Sequence, residues 1–248
     1  RNPLAEPYVL GISGGATVGA IAMIVLGFGA HAALTPLGGL AGALITVAIV
    51  LRIAYRVGRT LDSRVLLLAG VIVGAFFNAI ILLLLTIADV ESFRSAIFWM
   101  MGSLAGADWR GIFLLLAYVV PAGLALLALA RPLNLLAAGE ETAMYLGVRV
   151  TQVKLIAYVV ASILVAATVA ICGTIGFIGL VVPHAMRMIW GSDHGFLLPA
   201  SFITGAAFLL LAVTGARLVA APTELPIGVI TALIGVPIFV MLLRRSFT

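Results

Sequence analysis

Apolar residues in this chain come in long unbroken runs rather than in the one-faced stripes of a surface helix. The stretches "LAGALITVAIVL" (40–51) and "AIILLLLTIA" (79–88) each carry a single hydroxyl and no charge. A helix that crosses a bilayer needs about 20 mostly apolar residues. Reading on that basis marks eight spans, at 8–28, 36–57, 65–88, 111–130, 153–172, 176–191, 198–216 and 226–243. The sixth is short, opens on glycines and contains Pro183. Its pattern fits a tilted or broken helix, or a re-entrant segment buried in protein. The expected fold is an all-α membrane protein, a polytopic bundle of about eight transmembrane helices.

Composition leaves little room for another class. The 248 residues are 64% hydrophobic and 9% charged, with a mean hydropathy of +1.29. A soluble domain is about half apolar and a quarter charged. The 27 glycines suit close helix packing in lipid. The single cysteine, Cys172, excludes a disulfide within the chain and provides no cysteine-rich metal framework; it sits in an apolar run and reads as a packing residue. The net charge of +5 is spread between the spans rather than gathered on one face, so no nucleic-acid partner is expected.

Placement of the basic residues carries different information. With a cytoplasmic N-terminus, one side holds Arg1, Arg52, Arg56, Arg59, Arg64, Arg131, Arg149, Lys154, Arg187, Arg244 and Arg245. The other holds Arg94, Arg110 and Arg217, three of the 14 cations. Lys and Arg concentrate in cytoplasmic loops, so this asymmetry supports both the span list and the orientation.

The densest polar chemistry lies in "ICGTIGFIGLVVPHAMRMIWGSDHGFLLPAS" (171–201). A zinc or iron site wants several converging ligands. Here His184 and His194 are ten residues apart, His31 is expected on the opposite side, and no cysteine joins them. The segment reads as a helix end and surface turn, with no metal site. The nine acids, Glu6, Asp62, Asp89, Glu91, Asp108, Glu140, Glu141, Asp193 and Glu224, fall in loops or at span ends. A secondary transporter or channel for a small solute or ion, the alternative reading, would place acids inside spans. An intramembrane enzyme would need paired catalytic groups; Ser13, Ser162 and Ser201 have no evident His or Lys partner in the sequence.

Five stretches together resemble one family. They are "RNPLAEPYVLGISGGATVGA" (1–20), "FWMMGSLAGADW" (98–109), "GEETAMYLGVRV" (139–150), "GTIGFIGLVVPHAMRMIWGSDHGFLLPAS" (173–201) and "ELPIGVITALIGVPIFVMLLRR" (224–245). In order and content they are similar to the FecCD-type, or vitamin B12 permease-like, subunits of ABC importers for iron-siderophores, haem and cobalamin. The resemblance implies ten transmembrane helices, of which this chain supplies the third to the tenth. Residues 1–248 then form a single transmembrane permease domain whose first two helices precede Arg1. It implies a subunit that performs no bond chemistry and binds no cofactor, with ATP and magnesium held by a partner. The implied partners are a second permease subunit (a homodimer), two ATPase subunits, a periplasmic or surface-anchored substrate-binding protein, and the lipid bilayer. The implied location is the cytoplasmic membrane of a bacterium or archaeon. The implied cargo is a bulky metal chelate; ferric siderophore is favoured for the breadth of that class, with haem and cobalamin alongside.

Three loop regions acquire roles from the resemblance. The connection 131–152 is the longest internal one, with Pro132 expected to break the preceding helix. Within it Gly139, Glu140, Glu141, Thr142, Ala143, Tyr145, Leu146 and Gly147 match the loop that couples to the ATPase. Acids at 140 and 141 also suit the start of a short helix with no such role. Arg217, in "GARLVAAPTELP", matches a position that docks the binding protein; by itself an arginine at a span end is also an ordinary interfacial anchor. Asn2, Pro3 and Leu4, with Thr60, Leu61, Asp62 and Ser63, match the cytoplasmic gate, and "GSLAGA" (102–107) matches the external gate region. The lumen is expected to be lined from the third and last spans marked above. Asn78, the one amide deep in a span, suits either the pathway or another helix. Gly228, Gly235 and Pro237 permit close approach or a bend, between subunits or within one.

Overall fold

The structure is a computed structural model describing residues 11–29, 34–58, 61–220 and 225–246. Eleven helices account for most of these residues. In chain order they are α1 (Ile12–Met23, continued by a π-helical turn Ile24–Phe28), α2 (Leu34–Gly58), α3 (Ser63–Ile87), α4 (Val90–Met100), α5 (Trp109–Ala128) and α6 (Ala130–Ala138). Then follow α7 (Glu140–Tyr145), α8 (Val150–Cys172), α9 (Ile178–Trp190), α10 (His194–Ala220) and α11 (Ile227–Ser246). Five are long and apolar enough to span a bilayer: α2, α3, α5, α8 and α10; α1 with its π turn, α9 and α11 are shorter apolar helices. Together these eight coincide with the eight marked spans.

The bundle has two packing groups. In the first, α1, α2, α3 and α8 enclose a core of Ile12, Ala16, Ala43, Val47, Val50, Ala69, Val73, Phe77, Tyr158, Ala166 and Val169. Glycines line the contact between α1 and α2, where the backbones run close. A methyl group added at Gly15 would lie 2.7 Å from the Gly42 carbonyl, and one at Gly42 2.1 Å from the Gly15 carbonyl. The hydroxyls of Thr17, Thr46 and Ser162 turn back onto the carbonyls of Ser13, Gly42 and Tyr158, so these polar groups are satisfied inside their own helices. The second group is α9 and α10, joined through Val182, Met186 and Leu197, with α11 packed alongside. Side chains such as Leu82, Leu83, Phe113, Leu210 and Leu211 remain exposed. In water such a surface would aggregate; in lipid it is the ordinary exterior of a span.

Two helices were not expected. The stretch 89–100, read as part of an external loop, forms α4, capped by Asp89, whose carboxylate accepts the Ser92 N–H at 2.8 Å. Ala96 of α4 packs with Ile21, Ile24 and Ile81, seating it across the ends of α1 and α3. Pro132 does not break the chain into a loop. It occupies the first turn of α6, where its missing N–H has no intrahelical partner to lose.

The weak sixth span is α9, only 13 residues long. At about 1.5 Å per residue it falls short of a bilayer's thickness. An irregular stretch, 173–177, precedes it, and there Phe177 takes φ 68°, the one left-handed non-glycine residue among those described. Gly235 of α11 makes room for it; a methyl group there would lie 2.7 Å from the Phe177 Cβ.

Candidate functional site

Polar side chains that join separate elements concentrate at the arginine-rich end of the bundle. There the α6–α7 elbow lies between the two packing groups. On one side Lys154, in the second turn of α8, pairs through Nζ with Glu140 Oε1 at 2.6 Å. The same ammonium donates to the Leu61 carbonyl at 3.2 Å. On the other side the Asn134 amide of α6 donates through Nδ2 to Asp193 Oδ1 at 2.6 Å. Its Oδ1 accepts the His194 N–H at 2.9 Å and lies 2.6 Å from His194 Nδ1. The hydrogen-bonded tautomer is therefore the one protonated at Nδ1. Hydrogen bonds from Asn134 and from the Gly195 N–H hold the Asp193 carboxyl below the usual carboxylate range.

The predicted coupling residues form a single unit. Gly139 (φ 146°) and Gly147 (φ 83°) bracket α7 in conformations that favour glycine. The C-terminus closes as a Schellman motif: the Gly147 N–H meets the Met144 carbonyl and the Val148 N–H meets the Ala143 carbonyl, both at 2.9 Å. Glu140 and Glu141 sit in the first turn, where the helix dipole favours acids. Ala143 is fully buried and anchors α7 to the bundle, while Thr142 is exposed. Met144, Tyr145 and Leu146 point outward; Tyr145 is 90% exposed. Three consecutive exposed apolar side chains lie on a surface that the charge pattern assigns to water, not lipid.

Of the predicted gate residues, Asn2, Pro3, Leu4 and Thr60 lie outside the described residues. Asp62 caps α3, its carboxylate accepting the Arg64 N–H at 2.7 Å, and Ser63 beside it is exposed. Leu61 is buried at 4% exposure. So the turn before α3 and α7, separate in the sequence, meet through Lys154. Sequence reasoning counted Lys154 only as one more cation and passed over Asn134.

At the opposite end the backbone itself makes the junction. The Ser103 N–H reaches the Cys172 carbonyl at 2.9 Å, Ile227 N–H the Gly102 carbonyl at 3.1 Å, and Gly228 N–H the Met101 carbonyl at 3.0 Å. The Thr174 hydroxyl donates to the Met100 carbonyl. An open recess of about 530 Å³ lies here, lined in part by Met101, Thr174, Phe177, Gly228 and Leu233. Exposed Arg217 lies near Ser103, Ala105 and Leu225 at this end. Asn78 lies on the exposed side of α3, away from the chain's own core. His184 is not drawn into the polar cluster: neither ring nitrogen has a hydrogen-bond partner, and the ring packs edge-on against Phe239, 6.1 Å between centroids. Among the described residues no group of three or more His, Cys, Asp or Glu side chains converges as a metal site would.

Known proteins resemble this chain along its whole length. A cobalamin import system permease of Halobacterium salinarum is 46% identical over 244 residues, covering 98% of this chain and 65% of that protein. A hemin transport system permease of Yersinia pestis is 41% identical, covering 99% of this chain and 74% of its own length. The chain thus spans about two thirds to three quarters of these relatives. A solved metal-chelate type ABC transporter in an inward-facing conformation superposes with a TM-score of 0.92 at 33% identity, over 99% of this chain and 77% of that one. The profile of the FecCD transport family matches residues 1–245, and with eight apolar helices in the expected order this multi-pass membrane chain belongs to that family.

Proposed function

We propose that the chain is the transmembrane permease subunit of a binding-protein-dependent ABC importer that carries a bulky metal chelate inward. The observation that carries this reading is α7: a short helix, bracketed by Gly139 and Gly147 and closed at its C-terminus, that presents Met144, Tyr145 and Leu146 at the arginine-rich end of the bundle. A helix with an apolar face seated in a groove is a common recognition mode, and an ATPase subunit supplies that groove here. Glu141 and Thr142 flank the contact; Asp62 and Ser63, with Asn2 and Leu4, form the cytoplasmic gate. Arg217 docks a periplasmic or surface-anchored binding protein by charge complementarity. Two permease copies surround the pathway and two ATPases drive it, in the cytoplasmic membrane of a bacterium or archaeon.

For the cargo, the relatives' names support cobalamin first and haem second; ferric siderophore stays in the same chemical class. The test is uptake into proteoliposomes containing the whole permease, its ATPase and its binding protein, with labelled cyanocobalamin, hemin and a ferric siderophore in parallel. ATP-dependent uptake of one of them, lost when Glu141→Lys is combined with Tyr145→Ala, is the expected result. ATP-independent flux of a small ion would return the reading to a secondary transporter or channel.

A further inference from the structure

Lys154 hydrogen-bonds both to the α7 unit and to the turn before α3. Its ammonium spends one hydrogen bond on Glu140, the first residue of α7, and another on the Leu61 carbonyl, one residue before the α3 cap. The Lys154 side chain is 15% exposed and that of Glu140 53%, so solvent reaches the pair on its Glu140 side only. Both partners sit on packed backbone. Glu140 follows the buried Gly139 and precedes the fully buried Ala143, and Leu61 is itself buried. A displacement of α7 therefore moves Glu140 against an ammonium whose other end is a backbone atom of the gate turn. The second tie of the elbow, Asn134 to Asp193 and His194, runs to the other packing group. Of these two ties, the Lys154 one leads to Leu61.

We propose that Lys154 is the positioning residue that transmits movement of α7 to the 61–63 turn, so that it sets how much transport is obtained per ATP hydrolysed. This rests on the importer reading above for its consequence in transport, but not for the mechanical link itself.

Two measurements keep those apart. The first needs neither cargo nor ATPase. Spin labels are placed at Ser63→Cys and Glu141→Cys in a Cys172→Ser background of the full chain in nanodiscs. The distance distribution is expected to be narrow with Lys154, broad in Lys154→Met and narrow again in Lys154→Arg, whose guanidinium supplies donors for both partners. An equally narrow distribution in Lys154→Met would overturn the link. The second uses the reconstituted transporter and whichever of cyanocobalamin, hemin or ferric siderophore the wild type accumulates. Lys154→Met is expected to lower uptake per ATP about ten-fold, the scale of a coupling free energy between sites, with Lys154→Arg restoring it. The double exchange Glu140→Lys with Lys154→Glu re-forms an ion pair but puts a carboxylate, which cannot donate, opposite the Leu61 carbonyl; its ratio is expected to stay low. Hydrolysis and uptake falling in proportion in Lys154→Met, or full recovery in the exchange, would overturn the proposal. If no wild-type uptake occurs, the importer reading fails, and the spin-label result still decides the link.

Discussion

At the scale of single residues, Asp62, which the resemblance places at the cytoplasmic gate, is a helix cap in the structure. Asp193 and His194 lie in the polar stretch 171–201; what gives them a place in the fold is Asn134, 59 positions before Asp193. No spacing or periodicity signals such a pairing, because the two residues sit on elements whose approach is decided by packing elsewhere. The same holds for Lys154 and Glu140, each visible in the sequence but not as partners. The Asn134–Asp193 tie has a pH consequence. Asp193 ionises more readily in the folded chain than in the unfolded one. Its ionised form therefore adds stability above the ordinary carboxylate range, and that contribution disappears as pH falls through the lowered folded value. The thermal-midpoint difference between wild type and Asp193→Asn in detergent should be constant from neutral pH down to that range and shrink only in stronger acid. A difference that changes near neutral pH would show that another group governs the tie.

At the scale of elements, the long helices were legible because lipid demands long apolar runs, and that demand is written directly in composition. The short ones, α4, α6 and α7, obey local rules instead. Of these, α7 was foreseen from its glycines and paired acids. The Asp89 cap of α4 was present in the sequence, but a search for runs of bilayer length passes over an 11-residue helix. Pro132 does accompany a break, between Ala128 and Ala130, but a second helix, α6, follows it where the sequence suggests a loop. The α1–α2 pair shows which glycines matter. An added methyl at Gly15 would overlap the Thr46 hydroxyl, and one at Gly42 would meet the Gly15 carbonyl. Backbone cannot give way as a side-chain tip can, so the helices would have to part. Gly15→Ala and Gly42→Ala should each cost about 1–3 kcal/mol, read as a lowered thermal midpoint of the purified chain. Gly123 of α5 has open space around its Cα. There Gly123→Ala should be neutral or stabilise by up to about 1 kcal/mol, since alanine is the better helix former. Equal effects at all three positions would mean that α1 and α2 do not approach as described.

At the scale of the whole molecule, the two ends of the bundle are built from different materials. The end with few cations is stitched by backbone hydrogen bonds among 101–103, 172 and 227–228, which no side-chain substitution removes directly. The arginine-rich end is tied by individual side chains, Lys154 and Asn134, each open to loss by a single change. A single side-chain substitution can therefore loosen the second end, where α7 sits, more readily than the first. This asymmetry matters only if the arginine-rich end faces the cytoplasm. The distribution of cations predicts that orientation, and sidedness labelling can check it. Tyr145→Cys and Ala105→Cys, each in a Cys172→Ser background, place a thiol at exposed positions on opposite ends. A membrane-impermeant maleimide should modify the first in inside-out vesicles and the second in right-side-out vesicles. The reverse pattern would place α7 outside the cell, beyond the reach of any ATPase, and with it would fall both the coupling role of α7 and the transport consequence drawn for Lys154.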